Sequence, residues 1–288
     1  MDTSMSEVIR TSISDDRVPN PVRILHITDS HISVDVDEGD YADNASRMYN
    51  AFKDRDTVAS FERQLAVAVD ENVDLIALGG DQVNYPSAQM VDVIIDRLEA
   101  TGKPWIYTAG NHDWHYEGLP THGPVLREQW RGPLLPLYAG RGPHASSIEI
   151  KGLRIIAIDN STFQVDEDQL AFFVDQTSDD TPVLLLVHIP LSVGDLRQRE
   201  KPVCGDPRWG WDTDTNFETE RRDRWPETGN LVSTEAFVQC VSETPNLAAV
   251  LCGHIHEERI DAISDRSSQY VTAPGFQGVC RLVTIGLC

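Results

Sequence analysis

Arg23-Ile-Leu-His-Ile-Thr-Asp-Ser-His31 decides the fold. A short apolar, β-branched run stops at Asp29, and a histidine follows two positions on. Runs of this length bounded by turn residues read as buried strands. The same design recurs four times. Asp74-Leu-Ile-Ala-Leu78 leads into Gly79-Gly-Asp81, and Pro104-Trp-Ile-Tyr-Thr108 leads into Gly110-Asn-His-Asp113. Pro182–Val187 leads into His188, and Leu247–Cys252 leads into Gly253-His-Ile-His256. Each run ends in a residue type that binds metals. The carboxyl ends of strands are where α/β sheets place their sites.

Helical periodicity fills the gaps. Residues 57–72 carry Val58, Phe61, Leu65 and Val69 on one face. Ser87 opens a second helix with Met90, Val91, Ile94 and Leu98, closed by Gly102 and Pro104. Asp166 caps a third with Leu170, Phe173 and Val174, and Ser233 opens a fourth with Phe237 and Val241. Ser146–Ile150 and Leu153–Ile158 form a predicted hairpin around Lys151-Gly152, and 259–286 reads as two or three strands. Residues 117–144, rich in Gly and Pro, read as loop. The expectation is one α/β domain of two packed sheets, with βαβ units early and more antiparallel pairing later. The polar residues 1–20, closed by Pro19 and Pro21, read as a flexible tail, leaving 21–288 as the folded domain.

Composition narrows the function. The chain has 288 residues, 40% of them hydrophobic, so a sizeable core is possible. Against 24 basic residues stand 46 acidic ones, a net charge of −22. Such a surface repels nucleic-acid backbones and anionic membranes, so neither is an expected partner. The five cysteines are odd in number and form no C-x-x-C pair, which argues against a disulfide framework and a structural zinc site. No segment has the apolar core of a signal peptide or the length of a membrane span, so the expected location is cytoplasmic. The oligomeric state is not legible.

The candidate ligands are Asp29, His31, Asp81, Asn111, His188, His254 and His256. In an extended segment residues i and i+2 point the same way, so Asp29 and His31 can converge, as can His254 and His256. Asp81 stands alone on its loop and is the natural bridge between two ions. Glycines before Asp81, Asn111 and His254 permit close backbone approach. Mixed imidazole, carboxylate and amide oxygen suit Zn, Fe or Mn better than Ca. Two divalent ions, less two aspartates, leave the centre positive, so an anion is attracted locally despite the acidic surface.

The order D-x-H, G-D, G-N-H, H, G-H-x-H resembles the calcineurin-like metallophosphoesterase superfamily from residue 23 to about 285. The resemblance implies a metallo-dependent-phosphatase-like four-layer sandwich, two facing mixed β-sheets flanked by helices. It implies one ion on Asp29, His31, Asp81 and His256, and a second on Asp81, Asn111, His188 and His254. It also matches His112 to the family's non-ligand catalytic histidine. The expected chemistry is hydrolysis of a small anionic phosphoester, with a metal-bridging hydroxide attacking phosphorus in line and His112 protonating the leaving alkoxide. Asp113 either orients His112 or caps the following turn.

Below superfamily level two branches stay open. The Asp-Arg-Gly of Ser/Thr protein phosphatases is missing after Gly79-Gly-Asp-Gln-Val-Asn84. The tail Tyr270-Val-Thr-Ala-Pro-Gly-Phe276…Cys280-Arg-Leu282 is similar to cyclic-nucleotide phosphodiesterase relatives. Ile189, where those relatives carry a second histidine, looks closer to phosphomonoesterase-like members. A catalytically inactive binding module on the same fold is the remaining alternative, but no ligand is missing. His115 is a further pocket candidate, His26 reads as structural, and His122 and His144 fall in loops. Residues 195–230 form an expected lid-like insert with Trp209, Trp211, Trp225, Arg208, Arg221, Arg222 and Arg224. It is either an Ω-like loop pinned by buried rings or a cover that stacks a base and holds a distal phosphate. Arg281 is a weaker candidate of the same kind.

Overall fold

A computed structural model describes residues 6–35, 39–115, 123–194, 196, 203–206 and 229–287. In chain order the elements are β1 (Glu7–Ser14), β2 (Val22–Ile27), α1 (Ala42–Phe52), α2 (Thr57–Asp70), β3 (Leu75–Leu78), α3 (Ala88–Thr101) and β4 (Trp105–Tyr107). Then come α4 (Gly123–Leu134), β5 (Ala145–Ile150), β6 (Leu153–Ile158), α5 (Glu167–Gln176), β7 (Val183–Leu186) and α6 (Val232–Glu243). The chain closes with β8 (Leu247–Cys252), β9 (Arg259–Ala262), β10 (Ser268–Val271) and β11 (Val279–Gly286).

Two sheets result, in the orders β1-β11-β2-β3-β4 and β5-β6-β7-β8-β10-β9. The period-2 geometry of a strand explains why their sequences are apolar throughout. Ile24, Leu75, Ala77, Ile155, Leu184, Leu186, Ala249 and Leu251 point between the sheets into a shared core. Their neighbours in the same strands point outward. Leu25, Ile27, Ile76 and Leu78 meet Phe61, Leu65, Ile94 and Leu98 of α2 and α3. Ile156, Leu185 and Val250 meet Phe173 and Phe237 of α5 and α6, whose rings lie 5.2 Å apart. Each fully buried Leu, Ile or Phe contributes roughly 1.5–3 kcal/mol over exposure. The product is helices, sheet, sheet, helices. No helix among the described residues is long and apolar enough to cross a membrane.

Local signals explain the element ends. The Lys151-Gly152 hairpin turn has φ of 50° and 84°, the left-handed pair that matches strand twist. Asp166 and Gln169 form a reciprocal capping box on α5.

Two expectations need correction. The supposed tail holds β1, paired in parallel with β11 from Glu7↔Val279 to Ser14↔Gly286. Val8 packs on the outer core and Ile13 on the inner one, so the alternation of a half-buried strand was present in a stretch whose polarity masked it. The supposed loop 117–144 contains α4, where Leu126 and Leu134 are buried and Trp130 packs beside them, at i, i+4 and i+8. Pro124 lies in the first turn, where its missing N–H leaves no bond unmade. The antiparallel pairs do fall among the later strands, as expected, at β11–β2 and at the two rims of the second sheet. β6, β7, β8 and β10 run parallel, and β5 and β9 are reversed.

Candidate metal centre

The carboxyl ends of β2, β3, β4, β7 and β8 meet at one rim. His256 Nε2 lies 3.2 Å from Asp29 Oδ1 and 3.3 Å from His31 Nε2. Asp81 Oδ2 lies 3.3 Å from His188 Nε2 and 3.7 Å from His31 Nε2. Asp29, His31 and His256 form one group able to hold a metal ion, and Asp81, His188 and His254 form a second. A third joins His31, Asp81 and His112, so Asp81 and His31 each belong to two groups.

The convergence does not come from extended backbone, as the i, i+2 spacing suggested. Asp29, His31, Asp81, His254 and His256 have φ of 53°, 42°, 49°, 66° and 57°. Among the described residues, five of the nine non-glycine residues with positive φ are therefore candidate ligands. L-residues in this region are disfavoured, and strain of this kind clusters where function requires it. Backbone bonds hold the turns: the amides of Asp29 and His31 donate to the carbonyls of Gly80 and Asp81, both at 2.9 Å. Glycines make the approach possible. A Cβ on Gly110 would meet Asp81 Oδ1, and one on Gly80 would lie 2.6 Å from His188 Nδ1. A Cβ on Gly253 would meet Thr28 Oγ1 and Asp29 Oδ2.

Outer partners orient the donors. Nδ1 of His188 donates to the Gly79 carbonyl at 2.7 Å, which turns Nε2 toward Asp81. Thr28 Oγ1 is 2.7 Å from Asp29 Oδ2, to which it donates, and the His254 amide donates to the same oxygen at 3.0 Å. The His112 amide donates to Asp81 Oδ1 at 2.8 Å.

Protonation follows. Burial would raise the Asp29 carboxyl, but His256 holds it below the usual carboxylate range. Asp81 is also buried, and the charge of His188 holds it well below that range. Burial pushes His31 down to about 3 and His254 well below its ordinary value. His188 is buried too, yet Asp81 outweighs the burial and raises it to about 10. Two ionised carboxylates among largely neutral imidazoles make a donor set suited to a divalent ion. Among the described residues Asn111 Oδ1 is buried with no hydrogen bond, which leaves its lone pairs open to a cation, and His188 Nε2 has the Asp81 carboxylate 3.3 Å away.

Seven of the nine site residues read from the sequence, Asp29, His31, Asp81, His112, His188, His254 and His256, come together in these groups; Asn111 follows Gly110 on the same loop, and Asp113 is turned to backbone partners. Its Oδ1 accepts the Val83 amide at 2.9 Å, and its Oδ2 accepts Tyr107 OH and the Gly110 amide, each at 2.8 Å. The carboxyl is fully buried, which with the charge of Asp81 raises it to about 7. Asp113 therefore braces the loops that carry Asp81 and Asn111. The His112 ring stands edge-on to His31, centroids 4.7 Å apart. His26 is buried beneath the rim against Thr272 Oγ1, at 2.8 Å, as a structural residue. Arg281 is only 1% exposed and bonds Thr272, Thr11 and Val271, so it pins the sheets together rather than facing a substrate. The arginines and tryptophans of 207–228 lie outside the described residues.

Sequence reasoning missed an aromatic wall. Phe52, at the end of α1, stacks on His31 at 4.7 Å and 17°. Phe276 stands 5.1 Å from His256 and 5.6 Å from His31. Its amide donates to the Asp29 carbonyl at 3.0 Å. The Pro-Gly-Phe sequence before β11 was the available signal.

Fold and rim together define a two-sheet α/β sandwich carrying a carboxylate–imidazole centre at its strand ends. Residues 22–258 match the calcineurin-like phosphoesterase family, and the chain belongs to that family. It is 24% identical over 209 residues, 69% of this chain, to a probable cyclic nucleotide phosphodiesterase of Moraxella catarrhalis. It is 33% identical over 97 residues, 32% of this chain, to the DNA double-strand break repair protein Mre11 of Sulfurisphaera tokodaii. These matches span 65% and 22% of the two relatives, less than two thirds of either. A dimetal phosphatase from Danio rerio shares the fold at a TM-score of 0.53 and 12% identity, over 88% of each chain.

Proposed function

We propose that this protein is a binuclear metal-dependent hydrolase of small anionic phosphoesters. The observation that carries the reading is the sharing of Asp81 between two donor groups, with His188 Nε2 3.3 Å from its carboxylate and Asn111 Oδ1 buried without a hydrogen bond among the described residues. Asp29, His31, Asp81 and His256 would hold one ion, and Asp81, Asn111, His188 and His254 the other. The donor set favours Mn, Fe or Zn. When bound, such ions supply a water of lowered pKa and positive charge for the phosphoryl oxygens.

The chain's own residues do the rest. Thr28 and the His254 amide fix the Asp29 carboxylate, and the His112 amide fixes Asp81. Gly79 sets the tautomer of His188. The His112 imidazole, half-exposed at the rim, delivers a proton to the leaving oxygen. The net charge of −22 disfavours long anionic polymers, which supports a small substrate.

Elemental analysis of the purified protein should find about two transition-metal ions per chain. Hydrolysis of p-nitrophenyl phosphate and of bis-p-nitrophenyl phosphate should then be compared with and without chelator. Turnover that ignores the chelator defeats the metal reading. Chelator-sensitive turnover of the diester alone assigns a phosphodiesterase, the activity printed in the Moraxella relative's name, and makes cyclic nucleotides the first natural substrates to assay.

A further inference from the structure

The geometry points to Arg55 as a specificity residue that binds a second anionic group on the substrate's leaving portion, an inference that rests on the phosphoester reading above. Arg55 sits in the short turn between α1 and α2, where its amide donates to the Phe52 carbonyl at 2.8 Å. The side chain is exposed. Its guanidinium carbon lies 4.5 Å from the centre of the Phe276 ring and 5.9 Å from that of Phe52. Those two rings are the ones packed on His31 and His256, and they stand 5.3 Å from each other. One aromatic layer therefore separates the Arg55 cation from two of the candidate ligands.

Three features single it out. In this strongly acidic chain most arginines among the described residues are claimed by carboxylates, as Arg10 and Arg23 are by Glu71, and Arg154 is by Asp179. Among the described residues no carboxylate pairs with Arg55, and the nearby Asp56 accepts the Ala59 amide as the cap of α2. Secondly, stacking occupies the face of a guanidinium and leaves its N–H edges free for bidentate contact with a carboxylate or phosphate. Thirdly, Phe276 is anchored to the Asp29 carbonyl, and the neighbouring Gly275 carbonyl accepts Gln64 Nε2 at 2.9 Å, so the platform under Arg55 is rigid with the metal rim. A phosphoester whose alcohol carries a carboxylate or a further phosphate can place one anion at the metals and the other at Arg55. Its carbon skeleton then lies along Phe52 and Phe276.

The test uses the full chain loaded with manganese and two unreactive probes, 3-phosphonopropanoate and propylphosphonate, which differ in one carboxylate. Titration calorimetry should find the carboxylate-bearing probe about tenfold tighter, the scale of one charge-assisted contact. Arg55→Gln should bring that ratio to about one with metal content unchanged, and Arg55→Lys should leave an intermediate ratio. A ratio of one in the wild type overturns the inference, as does a full preference in Arg55→Gln. Either result, with metals and propylphosphonate still bound, leaves the metal reading intact. A protein that takes up no metal and binds neither probe overturns both.

Discussion

His112 and Asp81 are joined through backbone and carboxylate: the His112 amide donates to Asp81 Oδ1 at 2.8 Å while the imidazole projects past it toward His31. Replacing the ring leaves that amide in place. His112→Ala should keep about two metals per chain and lose turnover by roughly 10²–10⁴-fold, the range of a positioned general acid. Elemental analysis beside steady-state kinetics decides it. Loss of metal would make His112 a ligand, as its grouping with His31 and Asp81 allows.

Thr28 holds Asp29 from behind. Its hydroxyl is 2.7 Å from Asp29 Oδ2 and 3.0 Å from the Gly79 carbonyl. Thr28→Val keeps the shape and removes the donor. Metal affinity, measured by competition with a chromogenic chelator, should fall about 10–100-fold, and Thr28→Ser should restore most of it. Equal affinities for Val and wild type would show that the hydroxyl does not orient the carboxylate.

Gly110 is closed to any side chain by Asp81. A Cβ there would meet both Oδ1 and the backbone nitrogen of Asp81, and the backbone cannot swing aside as a flexible side chain would. Gly110→Ala should cost about 1–3 kcal/mol in urea unfolding and reduce metal content. Wild-type stability and stoichiometry in this variant would contradict the close loop contact.

β1 contributes through a buried cation. Arg281 Nη1 donates to Thr11 Oγ1 at 2.7 Å, and the guanidinium is otherwise enclosed between the sheets. Thr11→Val leaves that N–H without its partner and should destabilise the fold by about 1–3 kcal/mol, with turnover per folded molecule unchanged. Urea denaturation followed by circular dichroism checks the first part and an assay at low urea the second. An unaltered midpoint would make β1 peripheral to stability.

The candidate donors were legible because their signal is chemical. Asp, His and Asn after five apolar runs need only the rule that strand ends converge. How they converge was not, because left-handed backbone at Asp29 or His254 leaves no mark in local spacing. Asp113 stayed open between two roles for a related reason. Next to His112 in sequence it reads as a catalytic partner, yet a buried carboxylate is drawn to unpaired amides, and Val83 and Gly110 supplied them. β1 and α4 were obscured by composition, since polar residues on an edge strand and Gly or Pro at helix ends are compatible with order. The Phe52–Phe276–Arg55 layer needs contacts across more than 200 residues of sequence, beyond any periodicity.

Asp29 waits for a partner made much later. The amide that fixes its carboxylate belongs to His254, 225 residues further along the chain. During synthesis the first half of the rim emerges from the ribosome long before the second, and an isolated Asp-Ser-His turn offers too few donors to keep an ion. A metal held as proposed would therefore be acquired late in the life of the polypeptide, after both sheets have docked, and a translation product halted before β8 would be born without it.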